Sequence, residues 1–271
     1  MYHSEDLLIL TKTYPLPSSS YREHTCVIAV NSLGQLRRLF PIPYRLLAEE
    51  QQFRRWEWIS ASICETSKDT RPDTYRIDID SIIRKNKLGT TREWADRLQW
   101  VEPHLMESVT AIETRRKDTN LSIGVVRPIN IELELVKEEE PEWSDVEIQH
   151  LTMAGLFDQT NVIKRPLLKK LPYKFYYNYN CLHPDGTQET NRHMITDWEI
   201  GMLYWNCVDY YQSEWEKYFR KKVQNEFSKK NLYFIMGNMY RFRDQWLIVG
   251  VIYPPATSAR QYQLWKPGPN E

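Results

Sequence analysis

Apolar and polar positions alternate most cleanly at 129–135, where Ile129, Ile131, Leu133 and Leu135 interleave with Asn130, Glu132 and Glu134. A period of two marks a strand with one buried face. Shorter strand patterns fill the first half: "LLILTK", "TCVIAVN" turning at "SLG" into "QLRRLFPI", then "WEWISASICET", "TYRIDI" and "LSIGVV". "TTREWADRLQW" and "HLMESVTAIET" interrupt them as a helical insertion near 91–113, and "RRKDTN" reads as a polar turn. Later, "LPYKFYYNYNCL" alternates Tyr173, Phe175, Tyr177 and Tyr179 with Lys174, Tyr176, Asn178 and Asn180. "PDG" then turns the chain into "TQETNRHMI". Helices follow at about 197–210 and 214–228. "NLYFIMGN" and "QWLIVGVIY" form a second hairpin around "RFRD", and the tail "KPGPNE" frays. The charged, proline-containing "KEEEPEW" at 137–143 separates two textures. The expected organisation is α+β. A β-rich, OB-like barrel domain spans 1–137, and an α+β domain of two hairpins and about three helices spans 144–271.

Composition narrows the class. A chain of 271 residues that is 41% hydrophobic and 27% charged can bury a core as a soluble protein. Aromatic residues reach 13% while glycines number only nine, which disfavours loop-rich phosphate cradles and disorder. The 36 basic and 36 acidic residues cancel, so any anion-binding surface has to be a local patch. Cys26, Cys64, Cys181 and Cys207 are scattered, which reads as a reduced, cytoplasmic protein. No apolar run approaches the roughly 18 residues of a membrane span.

The densest candidate for chemistry is "HMITDWEIG", residues 193–201, with a His, an Asp and a Glu together. Its grammar is that of a helix start. Thr196 caps, Glu199 reaches back as in a capping box, and Asp197 suits the positive helix end. Thr90 with Glu93, Ser144 with Glu147, and Ser213 with Glu216 repeat the pattern. Zinc is not expected nearby. A two-residue Asp185-Gly186 turn pairs Cys181 with Thr190 and His193 with Asn178, leaving His193 about 10 Å along the ladder from Cys181. The P-loop, dinucleotide, zincin and nucleophile-elbow motifs are absent. No lysine has an acid two positions before it, against the usual metal-dependent nuclease core. No cofactor and no metal is expected.

Basic residues interleaved with aromatics suit phosphate contact and base stacking. One stretch carries Arg37, Arg38, Tyr44, Arg45, Arg54, Arg55 and Trp56; a second carries Lys164, Arg165, Lys169, Lys170 and Lys174; "RFR" at 241–243 is a third. The same composition also fits a solvated basic face over an aromatic core. Arg71 and Arg127, each beside a proline, fit either an anion clamp or a structural salt bridge.

The segments "LTKTYPLPSSSYREHTCVIAVN", "LRRLFPIPYRLL", "FRRWEWI", "RPDTYRID", "SIGVVRP", "LPYKFYYNYNC", "HMITDWEIG" and "GVIYPP" resemble an uncharacterised bacterial family of accessory and anti-phage-defence proteins. The early part loosely resembles a paired OB-like arrangement. The resemblance implies a zinc knuckle before the D-W-E stretch, for which this chain offers only Cys181 and His193.

The leading expectation is a non-enzymatic, cytoplasmic nucleic-acid-binding or sensing protein, a subunit of a bacterial defence complex. Arg37, Arg38, Arg45, Arg54, Arg55, Lys169, Lys170 and Lys174 would meet phosphates, with Tyr44 and Trp56 stacking. One alternative is a subunit that docks a protein partner through aromatic surfaces. Another is a metal-dependent nuclease using Asp197 and Glu199.

Overall fold

The structure, a computed structural model, describes residues 1–152 and 166–256. Lys164, Arg165 and the "KPGPNE" tail lie outside the described residues.

The first seven strands are β1 (His3–Lys12), β2 (Leu16–Ser18), β3 (Arg22–Asn31), β4 (Leu36–Ile42), β5 (Glu57–Glu65), β6 (Thr74–Ile77) and β7 (Ile83–Lys87). Five of them close a ring in the order β1-β3-β4-β6-β5, with β5 returning to β1. Within the ring only β4 and β6 run parallel. Short 3₁₀ turns at Tyr44–Leu46 and Glu49–Gln51 fill the crossing from β4 to β5. This is an OB-like small barrel, and closure removes the sheet edges that would otherwise invite aggregation. Strand alternation sends Leu7, Ile9, Val27, Ala29, Ile59, Ala61 and Ile63 into its core.

The second unit begins at β8 (Leu105–Met106), after the short α1 (Ala95–Leu98). It continues through α2 (Val109–Thr119), β9 (Ile123–Val126), β10 (Pro128–Lys137), α3 (Asp145–Thr152), β11 (Tyr173–Leu182), β12 (Gln188–Ile195), α4 (Trp198–Tyr211), α5 (Trp215–Arg220), β13 (Tyr233–Asn238) and β14 (Trp246–Ile252). The seven strands form one mixed sheet, ordered β10-β11-β12-β14-β13-β9-β8. One face carries Tyr177, Phe234 and Met236 under the helices that supply Tyr204 and Phe219. Tyr177 and Phe234 stack with ring planes 7° apart. The domain break therefore lies near residue 103, not at 137–144. β9 and β10, expected in the first domain, pair with β13 and β11 and are integral to the second sheet.

Two local expectations also shift. Helix α2 absorbs most of the "RRKDTN" turn: Ser108 caps its start by accepting the Ala111 N–H at 3.1 Å, and it ends only at Asn120, whose φ of 58° is left-handed. The 91–98 segment does not form a long helix: Arg92, Glu93 and Trp94 take φ of 51°, 54° and 70°. The "PDG" loop has three residues, since Leu182 pairs with Gln188 and the His183 N–H donates to the Thr187 carbonyl. Gly186, at φ 86°, closes it in the left-handed region. Cys181 thus faces Glu189, and His193 faces Tyr177.

The two units meet across an apolar layer. Leu8 and Leu10 of β1 and Ile28 and Val30 of β3, on the outside of the barrel, pack against Val125, Tyr233, Ile235 and Val249 of the second sheet. Arginines rim this layer. Arg38 donates to the Ser122 carbonyl at 2.6 Å and to Ser122 Oγ at 3.0 Å. Arg71 reaches the Asn238 carbonyl at 3.0 Å while paired with Asp69, the structural role among its two expected ones. Arg127 lies 5.4 Å from the centre of the Tyr233 ring.

Tyr14 extends the seam onto α4, where a Cβ on Gly201 would come within 2.4 Å of its ring. The ring cannot retreat freely, because its hydroxyl donates to the Lys169 carbonyl at 2.9 Å and accepts from Trp205 Nε1 at 3.0 Å. Gly201→Ala is therefore expected to destabilise the protein by about 1–3 kcal/mol in urea unfolding. A loss under about 0.5 kcal/mol, the range of ordinary surface substitutions, would show that the seam accommodates the methyl group.

Candidate functional site

A cleft of about 600 Å³ opens where the β4–β5 crossing, the 87–97 segment and the start of α4 converge. Its lining includes Lys12, Arg54, Arg55, Lys87, Arg97 and Lys222 against only Asp197 and Glu199, with Trp56, Trp94, Trp198, Phe227 and Tyr253 as walls. Concentrating cations in a concave, partly apolar site strengthens their field for an anion.

Arg55 is the centre. It is 8% exposed, and Nε donates to the Leu10 carbonyl at 2.7 Å and Nη2 to the Val251 carbonyl at 2.9 Å. Nη1 meets Glu199 at 3.0 Å and Asp197 at 3.6 Å. Burial works against ionisation of Glu199, but the Arg55 charge and hydrogen bond, helped by Lys12 and Lys87, hold its carboxyl below the ordinary value. Glu199 remains 47% exposed at the cleft mouth.

Asp197, not Thr196, caps α4. Its Oδ1 accepts the N–H groups of Glu199 at 2.7 Å and Ile200 at 3.3 Å, while Oδ2 accepts that of Val251 at 2.8 Å. Thr196 instead continues the strand, its N–H donating to the Ile248 carbonyl at 2.9 Å. Glu199 is thereby released from capping to face Arg55. Of the other three expected capping boxes only Ser144 with Glu147 forms, with bonds of 2.9 and 3.4 Å. Neither Thr91, which precedes the turn at Arg92, nor Glu214, which precedes α5, makes a side-chain cap.

Lys12 ends β1 with Nζ 4.0 Å from the centre of the Tyr44 ring and 5.4 Å from that of Trp198. Burial pushes its pKa down to about 8, against the pull of Glu199. Arg97, in the same lining, sits 5.1 Å from the Trp56 ring and 4.6 Å from the Trp94 ring, held by the Leu88 carbonyl at 2.8 Å. Trp94 touches Tyr253 at 5.7 Å. Trp56 and Trp94 have φ of 64° and 70°. Left-handed backbone costs a bulky residue about 1–3 kcal/mol, and such strain clusters at functional sites.

Of the expected contact residues, the fold brings Arg54, Arg55 and Trp56 into the cleft, with Tyr44 beneath Lys12. It does not bring the others. Arg37 is 9% exposed and forked onto Glu5 at 2.9 and 3.0 Å. Arg38 is spent on Ser122, and Arg45 on Glu23 at 3.0 Å and on the Pro166 carbonyl. Lys169 lies over Trp205, Lys170 donates to the Glu142 carbonyl at 3.0 Å, and Lys174 pairs with Glu138 at 3.0 Å. These six support the fold or other surfaces. Lys12, Lys87, Trp94, Arg97, Trp198, Lys222 and Tyr253 are the contributors that sequence reasoning missed. The run "TREWADR" does interleave basic and aromatic residues, a signal masked by its helix-like grammar.

Among the described residues no three His, Cys, Asp or Glu side chains are placed to share a metal ion. His193 bonds the Tyr179 hydroxyl at 3.1 Å, and burial pushes its pKa down to about 4. Among the described residues no helix is long and apolar enough to cross a membrane.

Residues 104–268, most of the second unit and more than half of the chain, match a family described as a domain of unknown function, DUF8757. The chain belongs to the DUF8757 family. Residues 3–103 match a second domain of unknown function, DUF8758. The junction between the two matches coincides with the junction between barrel and mixed sheet, so the cleft is built from both domains. No curated protein matches the chain.

Two outcomes are expected. Asp197→Ala removes a cap, the bond that holds the Val251 N–H of β14 and part of the Arg55 counter-charge, and should cost about 3 kcal/mol or more. Thr196→Ala should cost well under the ~1 kcal/mol of a capping residue; urea unfolding of both variants checks the order. Lys12→Met should stabilise the protein at pH 7 by about 1–2 kcal/mol, allowing for solvent screening. The folded-state pKa is depressed, so the unfolded chain binds more protons between pH 8 and 10.5. Wild-type stability therefore rises with pH in that window, and melting curves should show the variant's advantage shrinking.

Proposed function

We propose that the interdomain cleft binds nucleic acid, and that the protein acts as a binding or sensing component and not through chemistry of its own. The observation that carries this reading is the cleft lining: six cations against two carboxylates, flanked by aromatic walls that a base can stack on. The OB-like barrel agrees with it, since such barrels often bind oligonucleotides, although a fold alone does not fix a function. A role in a bacterial defence complex belongs to the same proposal and rests on sequence resemblance. The nuclease alternative has less behind it, because both oxygens of Asp197 are taken up by main-chain N–H groups and Glu199 by Arg55.

The test is fluorescence anisotropy with single- and double-stranded DNA and RNA at two salt concentrations. Arg54 and Lys87 are exposed, so Arg54→Ala/Lys87→Ala should fold normally. The variant is expected to bind about tenfold more weakly, with a salt slope shallower by roughly 1.4 if both residues meet single-strand phosphates. Unchanged binding by the variant, or no binding of any of the four, would overturn the reading and favour docking of a protein partner.

A further inference from the structure

Resting on the nucleic-acid reading, we infer that the cleft receives one nucleotide bearing a terminal phosphomonoester, free or at the end of a strand, and not the middle of a strand. Three observations converge on this.

First, the outer barrel surface that could lay out a strand is already used. Leu8, Leu10, Ile28 and Val30 are at most 1% exposed beneath the second sheet. Arg38, on the adjacent β4, is locked onto Ser122. A strand cannot track along β1, β3 and β4 without parting the domains.

Second, the cleft is short and closed behind. A volume of about 600 Å³ falls within the roughly 300–1,000 Å³ that encloses one drug-sized ligand. Its floor is Arg55, whose bonds to Leu10 and Val251 tie the barrel to β14. Behind that floor lies the buried apolar interdomain layer, so the cleft has no opening through its floor.

Third, the charge is concentrated and not strung out. An internal phosphodiester brings one negative charge per nucleotide, whereas a phosphomonoester brings about 1.5 to 2 at a single point. Lys12, poorly solvated among Tyr44 and Trp198, pairs with no acid among the described residues, and exposed Arg54 lies in the same cleft. These two suit the phosphate. Trp94 and Tyr253, whose rings meet in the same cleft with centroids 5.7 Å apart, suit the base.

The experiment uses the full chain and measures quenching of its tryptophan fluorescence. Ligands are 12-mer single strands with a 5′-phosphate, a 3′-phosphate or neither, a phosphorylated trimer, a nucleoside 5′-monophosphate and the bare nucleoside. One phosphorylated 12-mer is expected to bind at least tenfold more tightly than the unphosphorylated strand and no more tightly than its phosphorylated trimer. The preference should vanish in Arg54→Ala, whose side chain is exposed, and in Lys12→Met, checked for folding by its melting curve. If the monophosphate binds and the strands do not, the inference stands for a free nucleotide and the nucleic-acid reading falls. If affinity grows with length and ignores the terminal phosphate, the inference falls while that reading survives. If nothing binds, both fall.

Discussion

Buried guanidinium groups bonded to main-chain carbonyls are what the arrangement of this protein depends on. Arg38, Arg55 and Arg71 each leave the barrel and end on a carbonyl of the second unit. Each sits at the rim of the apolar layer, where a strand end or loop leaves a carbonyl facing the seam. A hydrogen bond to a charged group is worth about 1.5–3 kcal/mol net, and its loss in a buried setting costs more than that. The layer supplies cohesion without direction, and the arginines fix the angle and register at which the domains meet. The cleft exists because Arg55 holds that angle while leaving one nitrogen turned towards Glu199.

This also explains why the sequence was partly legible. The barrel, both hairpins and the helices after 197 follow from period-two and helical patterns, because each has one face in a core. Arginine beside aromatic residues is, by contrast, ambiguous at the level of composition. Arg37 and Arg54 stand in equivalent sequence settings, yet one is forked onto Glu5 and the other is exposed at the cleft. The difference lies in the acid that the fold carries to Arg37, which comes from 32 positions away.

A shift of one position along the chain rearranges more of this structure than a change of element type. Moving the α4 cap from Thr196 to Asp197 frees Glu199 from the helix and gives it to Arg55. Lengthening the "PDG" loop by one residue turns every pairing in β11 and β12 by one step. The domain boundary is hidden in the sequence for another reason. "KEEEPEW" has the texture of a linker, but the strand before it pairs with the strand after it, so it lies within one sheet.

Strand β1 is apolar on both faces, with Leu7 and Ile9 in the barrel and Leu8 and Leu10 in the seam. For an ordinary half-buried strand, a slip of one residue would expose its oily side, and water would correct it. Here a slip merely exchanges one oily side for the other, so water offers no such proofreading. The setting of β1 is instead stamped by its few polar members: Glu5 gripping Arg37, and Thr11 donating to the Val249 carbonyl at 2.9 Å. These unremarkable side chains act as the notches on a key whose blade is otherwise smooth.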